Sequence, residues 1–333
     1  MKFYLIILAF VVCFFPVNDS TAQTVRPKTA YHLIQTIVIG GEGTWDYPAL
    51  DAKNHRLYVS HESEVAVVDI DRGNVVGRIP TQGVHGMALV PGLGKIFVSE
   101  GKADFVSVFN IKTLSPLGEA KTGKDPDAII YDHASGRLFV SNGDSEDITV
   151  IDATTGRTVG TIPVGGDPES IAVDGKGNLW VNLEDKNEVL KIDTKKLRVK
   201  KRWPIPGCQV PKGLALDRDR HRLFVGCRNH VMAVANSENG NVITTLPIGD
   251  HVDTTIFDAA TRMIFNSNGD GTVTIISEDT SNRYHIAETV LTQNGAKTMA
   301  YDQGTKRLYL PVADHSAPQM SSAGNFVVLV YGQ

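Results

Sequence analysis

Long hydrophobic runs are almost absent from this chain of 333 residues. The longest, Phe3 to Phe15, is thirteen residues, short of the roughly 20 that a membrane-crossing helix needs, and membrane insertion is not expected. No run of lysine or arginine interrupts a net charge of −4, so there is no electrostatic footprint for nucleic acid or an anionic membrane. Aromatic residues make up only 7%, which argues against a stacking platform for single strands. The signatures of attached haem (C-x-x-C-H), of a serine nucleophile elbow (G-x-S-x-G), of P-loop or Rossmann phosphate binding and of an H-E-x-x-H zinc site are all missing. The chain carries no recognisable catalytic set.

What is present begins at the N-terminus. Met1 and Lys2 precede the apolar run, and Pro16 and a Ser20-Thr21-Ala22 step follow it, the layout of a secretory signal cleaved after Ala22. The expected organisation is a signal peptide over 1–22 and one domain over 23–333, exported to the periplasm or secreted. Cys13 has Val12 before it, where a lipoprotein signal wants a small residue. Glycine is abundant, with 31 residues, which suits many tight turns.

An apolar triplet recurs along the chain: Leu57-Tyr58-Val59, Ile96-Phe97-Val98, Leu138-Phe139-Val140, Leu179-Trp180-Val181, Leu223-Phe224-Val225, Met263-Ile264-Phe265 and Leu308-Tyr309-Leu310. Around each lie a short strand, the triplet strand, an alternating strand and a last strand, named A to D from the axis outward. Period-two alternation without a helical stripe makes these units β. Seven copies of about 40 residues predict an all-β, seven-bladed β-propeller with four antiparallel strands per blade. Asp69, Asp152 and Asp193 end C strands before turn residues, and Asx-type turns are expected there. The C-terminus stops after a seventh C strand, whereas Leu33 to Gly41 matches the D strand Val159 to Gly166. The N-terminal strand is therefore expected to complete the last blade and close the ring.

The stretch "LFVSN…ITVIDATTGRTVGTIPVGGDPESIAVD" resembles the YVTN-type β-propeller repeat. That resemblance covers nearly all of the chain after the signal and implies the same fold. It carries little about chemistry, since such propellers serve as binding proteins, surface-layer components and domains of redox enzymes.

In a propeller the D-to-A and B-to-C connections share one face, the default ligand face. Aligning the A strands puts one column at the axis: Asp46, Gly86, Asp127, Glu169, Lys212, Asp253 and Lys297, preceded by Trp45, His85, Pro126, Pro168, Pro211, Val252 and Ala296. Four carboxylates, two lysines and a nearby histidine at one mouth suit a polar small molecule, a peptide, a protein group or a divalent cation held by Asp46, Asp127, Glu169 and Asp253. A solvated channel balanced in charge explains the same residues. His251 and His315 lie in loops of this face, and the connection from Ala313 to Asn325 is long enough to be a lid or an unstructured loop. Cys208 and Cys227, the only cysteines beyond the signal, fall on one face of the fifth blade, as a disulfide or as two thiols.

Three functional readings follow. The leading one is an exported, monomeric, non-catalytic propeller that binds a small polar ligand, peptide or protein at the axial mouth. A metal-dependent, lactonase-like hydrolase using the channel carboxylates is the alternative. An accessory domain to a redox enzyme is the third.

Overall fold

The recurring triplet becomes the buried spine of every blade. Leu57, Val59, Ile96, Phe97, Val98, Leu138, Phe139 and Val140 are all at 0% exposure, each worth about 1.5–3 kcal/mol of burial relative to solvent. Alternate residues of a strand face opposite sides of the sheet, so a triplet buried throughout needs a neighbour on both sides. Seven apolar clusters supply them. Phe139, Val150 and Ile162 of the third blade, for example, pack with Val181, Leu190 and Ile192 of the fourth.

The structure is a computed structural model that describes residue 1 and residues 31–41, 43–313 and 325–333. Seven four-stranded antiparallel sheets form the ring. Blade 1 runs Trp45–Asp51, Arg56–His61, Glu64–Asp69 and Asn74–Pro80, and the pattern repeats through blade 6. In blade 7, His32–Val38 lies against Phe326–Gly332, which pairs with Arg307–Ala313 and then Ala300–Asp302. The ring is closed by the N-terminal strand as expected. Residues 2–22, and residues 314–324 of the 313–325 connection with His315 among them, lie outside the described residues. No described helix is long and apolar enough to cross a membrane.

The C-strand carboxylates make the expected turns. Asp69 Oδ1 accepts from the amides of Asp71 and Arg72, and Asp193 Oδ1 from those of Lys195 and Lys196; Asn110 does the same for Lys112 and Thr113. One triplet alignment shifts by one. In blade 6, Met263 pairs with Asp258 as Arg222 pairs with Asp217, so the spine is Ile264-Phe265-Asn266. In blade 2 the triplet keeps its place, and it is the A-strand alignment that shifts by one and changes the axial column.

Cys208 and Cys227 form a disulfide with Cα atoms 5.4 Å apart. It pins the loop entering blade 5 to the end of that blade's B strand, amid Trp180, Ile205 and Val225. Closing a loop of this length restrains the unfolded chain by about 3 kcal/mol. Cys208→Ala with Cys227→Ala is therefore expected to lower stability by about that amount in denaturant titrations, and reductant should lower wild type equally. Two thiols titrating in unreduced, denatured wild type would refute the bond.

Candidate functional site: a ring of ionisable side chains at the axial mouth

Strand pairing decides which residue of each A strand faces the axis. Trp45 lies opposite His61, Pro126 opposite Asn142, Pro168 opposite Leu183, Pro211 opposite Cys227 and Val252 opposite Asn268. In blade 2 the corresponding pair is Val84 and Glu100. The next residue in each strand completes the column: Asp46, His85, Asp127, Glu169, Lys212 and Asp253, with Lys297 from blade 7. His85, not Gly86, is the blade-2 member. The cause is hairpin length: His85 precedes Ile96 by the same eleven residues that separate Asp46 from Leu57 and Asp127 from Leu138. All seven positions are ionisable.

Gly86 has a steric duty instead. A Cβ there would come within 2.8 Å of the Asp127 carbonyl oxygen, so only glycine lets the A strands of blades 2 and 3 approach this closely.

Small polar residues of the B strands hold the column's backbone in place, a role the sequence reading missed. Ser99 Oγ donates to the carbonyl of Asp127, Ser141 Oγ to that of Glu169, Asn182 Nδ2 to that of Lys212 and Ser267 Oγ to that of Lys297. Thr298 Oγ1 donates to the carbonyl of Asp46. Their shared signal is a Ser or Asn right after the apolar triplet in blades 2 to 4 and, one residue later than the assigned triplet, in blade 6; Ser60 of blade 1 instead accepts from the Asp46 amide of its own blade. Because these bonds cross from blade to blade, each column residue is set by its neighbour as well as by its own strand.

The ring divides into two electrostatic halves. On one side the lysines serve the acids. Lys212 Nζ donates to Glu169 Oε2 at 2.8 Å and also meets Glu184, and Lys297 Nζ pairs with Asp253 at 2.6 Å. The Tyr47 hydroxyl donates to Glu169 Oε1 at 3.1 Å. On the other side His85 Nδ1 lies 2.8 Å from Asp46 Oδ2 and 3.8 Å from Asp127 Oδ1, while Nε2 lies 4.0 Å from Asp125 Oδ1. One imidazole N–H cannot serve both carboxylates, and it serves Asp46. Asp127 Oδ1 is sealed from solvent and accepts no hydrogen bond.

These environments move the protonation equilibria. Burial, followed by the charges of Glu169, Asp46 and Asp253, pushes the Asp127 carboxyl well above the usual range. Burial lifts Glu169 to about 7 against the pull of Lys212, and it raises Asp253 against that of Lys297. The hydrogen bond that His85 donates to Asp46 raises the histidine's pKa, overcoming its burial. Burial works against both ammonium groups, but their carboxylate partners hold Lys212 and Lys297 above the ordinary lysine value. Beneath the ring along the axis lies a cavity of about 190 Å³, lined by Tyr47, Gly86, Ala128, Ser170 and Thr254 among others.

Other candidates fall outside this constellation. Trp45 packs between blades 7 and 1 with its ring 5.7 Å from that of Phe326, and its indole N–H is buried without an acceptor. His251 is exposed and pairs with Asp250 at 3.0 Å. His61 stacks on Phe326 at 4.1 Å, and burial lowers its pKa.

Fold and mouth together define a seven-bladed β-propeller with a charged axial opening. No protein-family model and no curated protein matches the chain, so the YVTN-type likeness rests on the repeat's residues. Among solved structures, a chain of Kuenenia stuttgartiensis hydrazine synthase is similar at 18% identity and a TM-score of 0.69, covering 80% of this chain and 91% of that one. A chain in the crystal structure of the mitotic checkpoint complex is similar at 15% identity and a TM-score of 0.74, covering 98% and 99%. Identities this low establish the fold alone.

Proposed function

We propose that this protein is an exported, non-catalytic propeller of the YVTN type, directed out of the cytoplasm by residues 1–22, whose axial mouth binds a cationic group of a small ligand, peptide or protein partner. The observation that carries this reading is the half-buried Asp127 carboxylate at the mouth, whose Oδ1 is sealed from solvent and accepts no hydrogen bond, beside Asp46 and Asp125. A buried acceptor without a donor costs about 1–3 kcal/mol, a cost that an incoming ammonium, guanidinium or metal relieves. The disulfide fits an oxidising compartment. The β-propeller is a common protein-binding scaffold, and the similar chain in the mitotic checkpoint complex belongs to an assembly. The hydrolase alternative needs one cation shared by four carboxylates, and two of these, Glu169 and Asp253, are neutralised by lysines. The likeness to hydrazine synthase is one of fold and gives the redox reading no support of its own.

The test is thermal melting with blocked tripeptides Gly-X-Gly, X being Lys, Arg, Leu or Glu. The cationic peptides are expected to raise the wild-type midpoint, by the equivalent of about 2.7 kcal/mol at a hundred times the dissociation constant. Leu and Glu peptides are expected to leave it unchanged. If Lys and Arg peptides do nothing, or act equally on Asp127→Asn, the mouth is only a solvated channel.

A further inference from the structure

We infer that the His85 side of the mouth is a binding site for a first-row transition-metal dication of the zinc or manganese type, held by Asp46, His85 and Asp127; this rests on the reading that the mouth recruits a cation. One oxygen of Asp46, one oxygen of Asp127 and a ring nitrogen of His85 lie within 4.8 Å of one another. A single ion with bonds of roughly 2.0–2.2 Å spans that set after a small closure of the side chains. Asp127 Oδ1 points to a ligand independently, since it is sealed from solvent and takes no hydrogen bond.

The donor set selects the ion class. Two carboxylate oxygens and one imidazole nitrogen suit zinc, manganese or iron, whereas calcium and magnesium take oxygen almost exclusively. Glu169 and Asp253 are excluded because ammonium groups already occupy them. Three protein ligands leave a coordination position open for water or a ligand atom.

A supporting residue is also in place. A histidine that binds metal through one nitrogen commonly donates its other N–H to a carboxylate, which fixes its orientation. Asp125 Oδ1 stands 4.0 Å from His85 Nε2. Gly101 makes room for the pair: a Cβ there would come within 2.6 Å of Asp125 Oδ1 and 2.7 Å of His85 Nε2. Asp125 is thus a positioning residue, and Gly101 a required gap.

The test uses the full-length mature protein, stripped with chelator and titrated calorimetrically with zinc, manganese and calcium. One zinc per chain is expected, bound at least tenfold more tightly than calcium. His85→Gln and Asp127→Asn should each weaken zinc at least tenfold and Asp125→Asn by about 10–100-fold, while His230→Gln, on the same face, leaves it unchanged. Zinc-edge X-ray absorption of loaded wild type should show a single imidazole, a readout independent of how well any variant folds. Absence of imidazole, binding of calcium as tight as zinc, or full retention by folded His85→Gln overturns the site. If the Lys and Arg peptides raise the melting midpoint but no metal binds, this inference alone falls; if neither binds, the reading of the mouth falls with it.

Discussion

Asp127→Asn is expected to raise the melting temperature of the metal-free protein at neutral pH while removing its response to cationic ligands. The side chain sits in the mouth with Oδ1 sealed and unbonded, and burial and three other carboxylates oppose its charge. Asparagine keeps the shape and removes the charge. His85 loses little, because its proton is held by Asp46; the Asp127 carbonyl that Ser99 clamps belongs to the backbone and survives. The amide still lacks a partner at that position, so the gain comes from removing the charge alone, of the order of 1–3 kcal/mol, or roughly 2–4 °C per kcal/mol for a large domain.

The pH dependence has a definite sign. Glu169 shifts from 4.5 in the unfolded chain to about 7 in the fold, so the folded state binds more protons between those values. Stability from this group is fully present below about 4.5 and is lost as pH rises through 7. Asp127 is displaced in the same direction. His61, lowered by burial, opposes them by penalising acid. Wild type should therefore lose stability between pH 5 and pH 8 in melts with chelator present, and Asp127→Asn combined with Glu169→Gln should flatten the decline. A double mutant that follows wild type across this range would remove the electrostatic account of the mouth, whereas one that is stabler but still takes up ligand would move binding elsewhere.

Much of the fold is readable in one dimension because each blade repeats the same requirement. A triplet buried from both sides, a turn-making carboxylate and a glycine-marked bend recur at nearly constant spacing, and the unmatched strands at the two chain ends can only complete each other. The site was less legible. Alignment on the A strand puts Gly86 at the axis with His85 beside it, while the eleven-residue interval from column to triplet that Asp46, Asp127 and Lys212 share puts His85 at the axis. That one-residue slip hides the histidine among the carboxylates, since neighbouring strand residues face opposite sides. The division of the ring into a half neutralised by lysines and a half served only by His85 is also invisible in the sequence. Lys212 reaches Glu169 of the preceding blade and Lys297 reaches Asp253, contacts across 43 or 44 positions that depend on side-chain reach rather than sequence order. In the sequence Trp45 reads as a mouth residue because it adjoins Asp46, but the alternation that turns Asp46 to the axis turns Trp45 into the seam between blades 7 and 1.

Deleting residues 31–39 with the flanks rejoined is expected to open the ring, and to do so more severely than any single substitution. Those residues contain strand D of blade 7, paired along its length with Phe326–Gly332 from His32 opposite Gly332 to Val38 opposite Val327. The partner strand is buried at all seven positions. Once uncovered, Phe326–Gly332 becomes an apolar edge with a free row of amides and carbonyls, which pairs with whatever strand is available. The deletion also removes Ile37, Ile39 and Tyr31 from the seams on either side of blade 7. Losing two buried isoleucines alone costs about 2–5 kcal/mol each, so a fall of 10 °C or more is expected, with dimers or larger species in size-exclusion chromatography. A synthetic peptide of residues 31–41 added in trans should restore both monomer and midpoint by refilling the vacant edge. A deletion protein that stays monomeric with an unchanged midpoint would show that blade 7 is held by its inner three strands and its neighbours, and that the N-terminal strand decorates the ring rather than closing it.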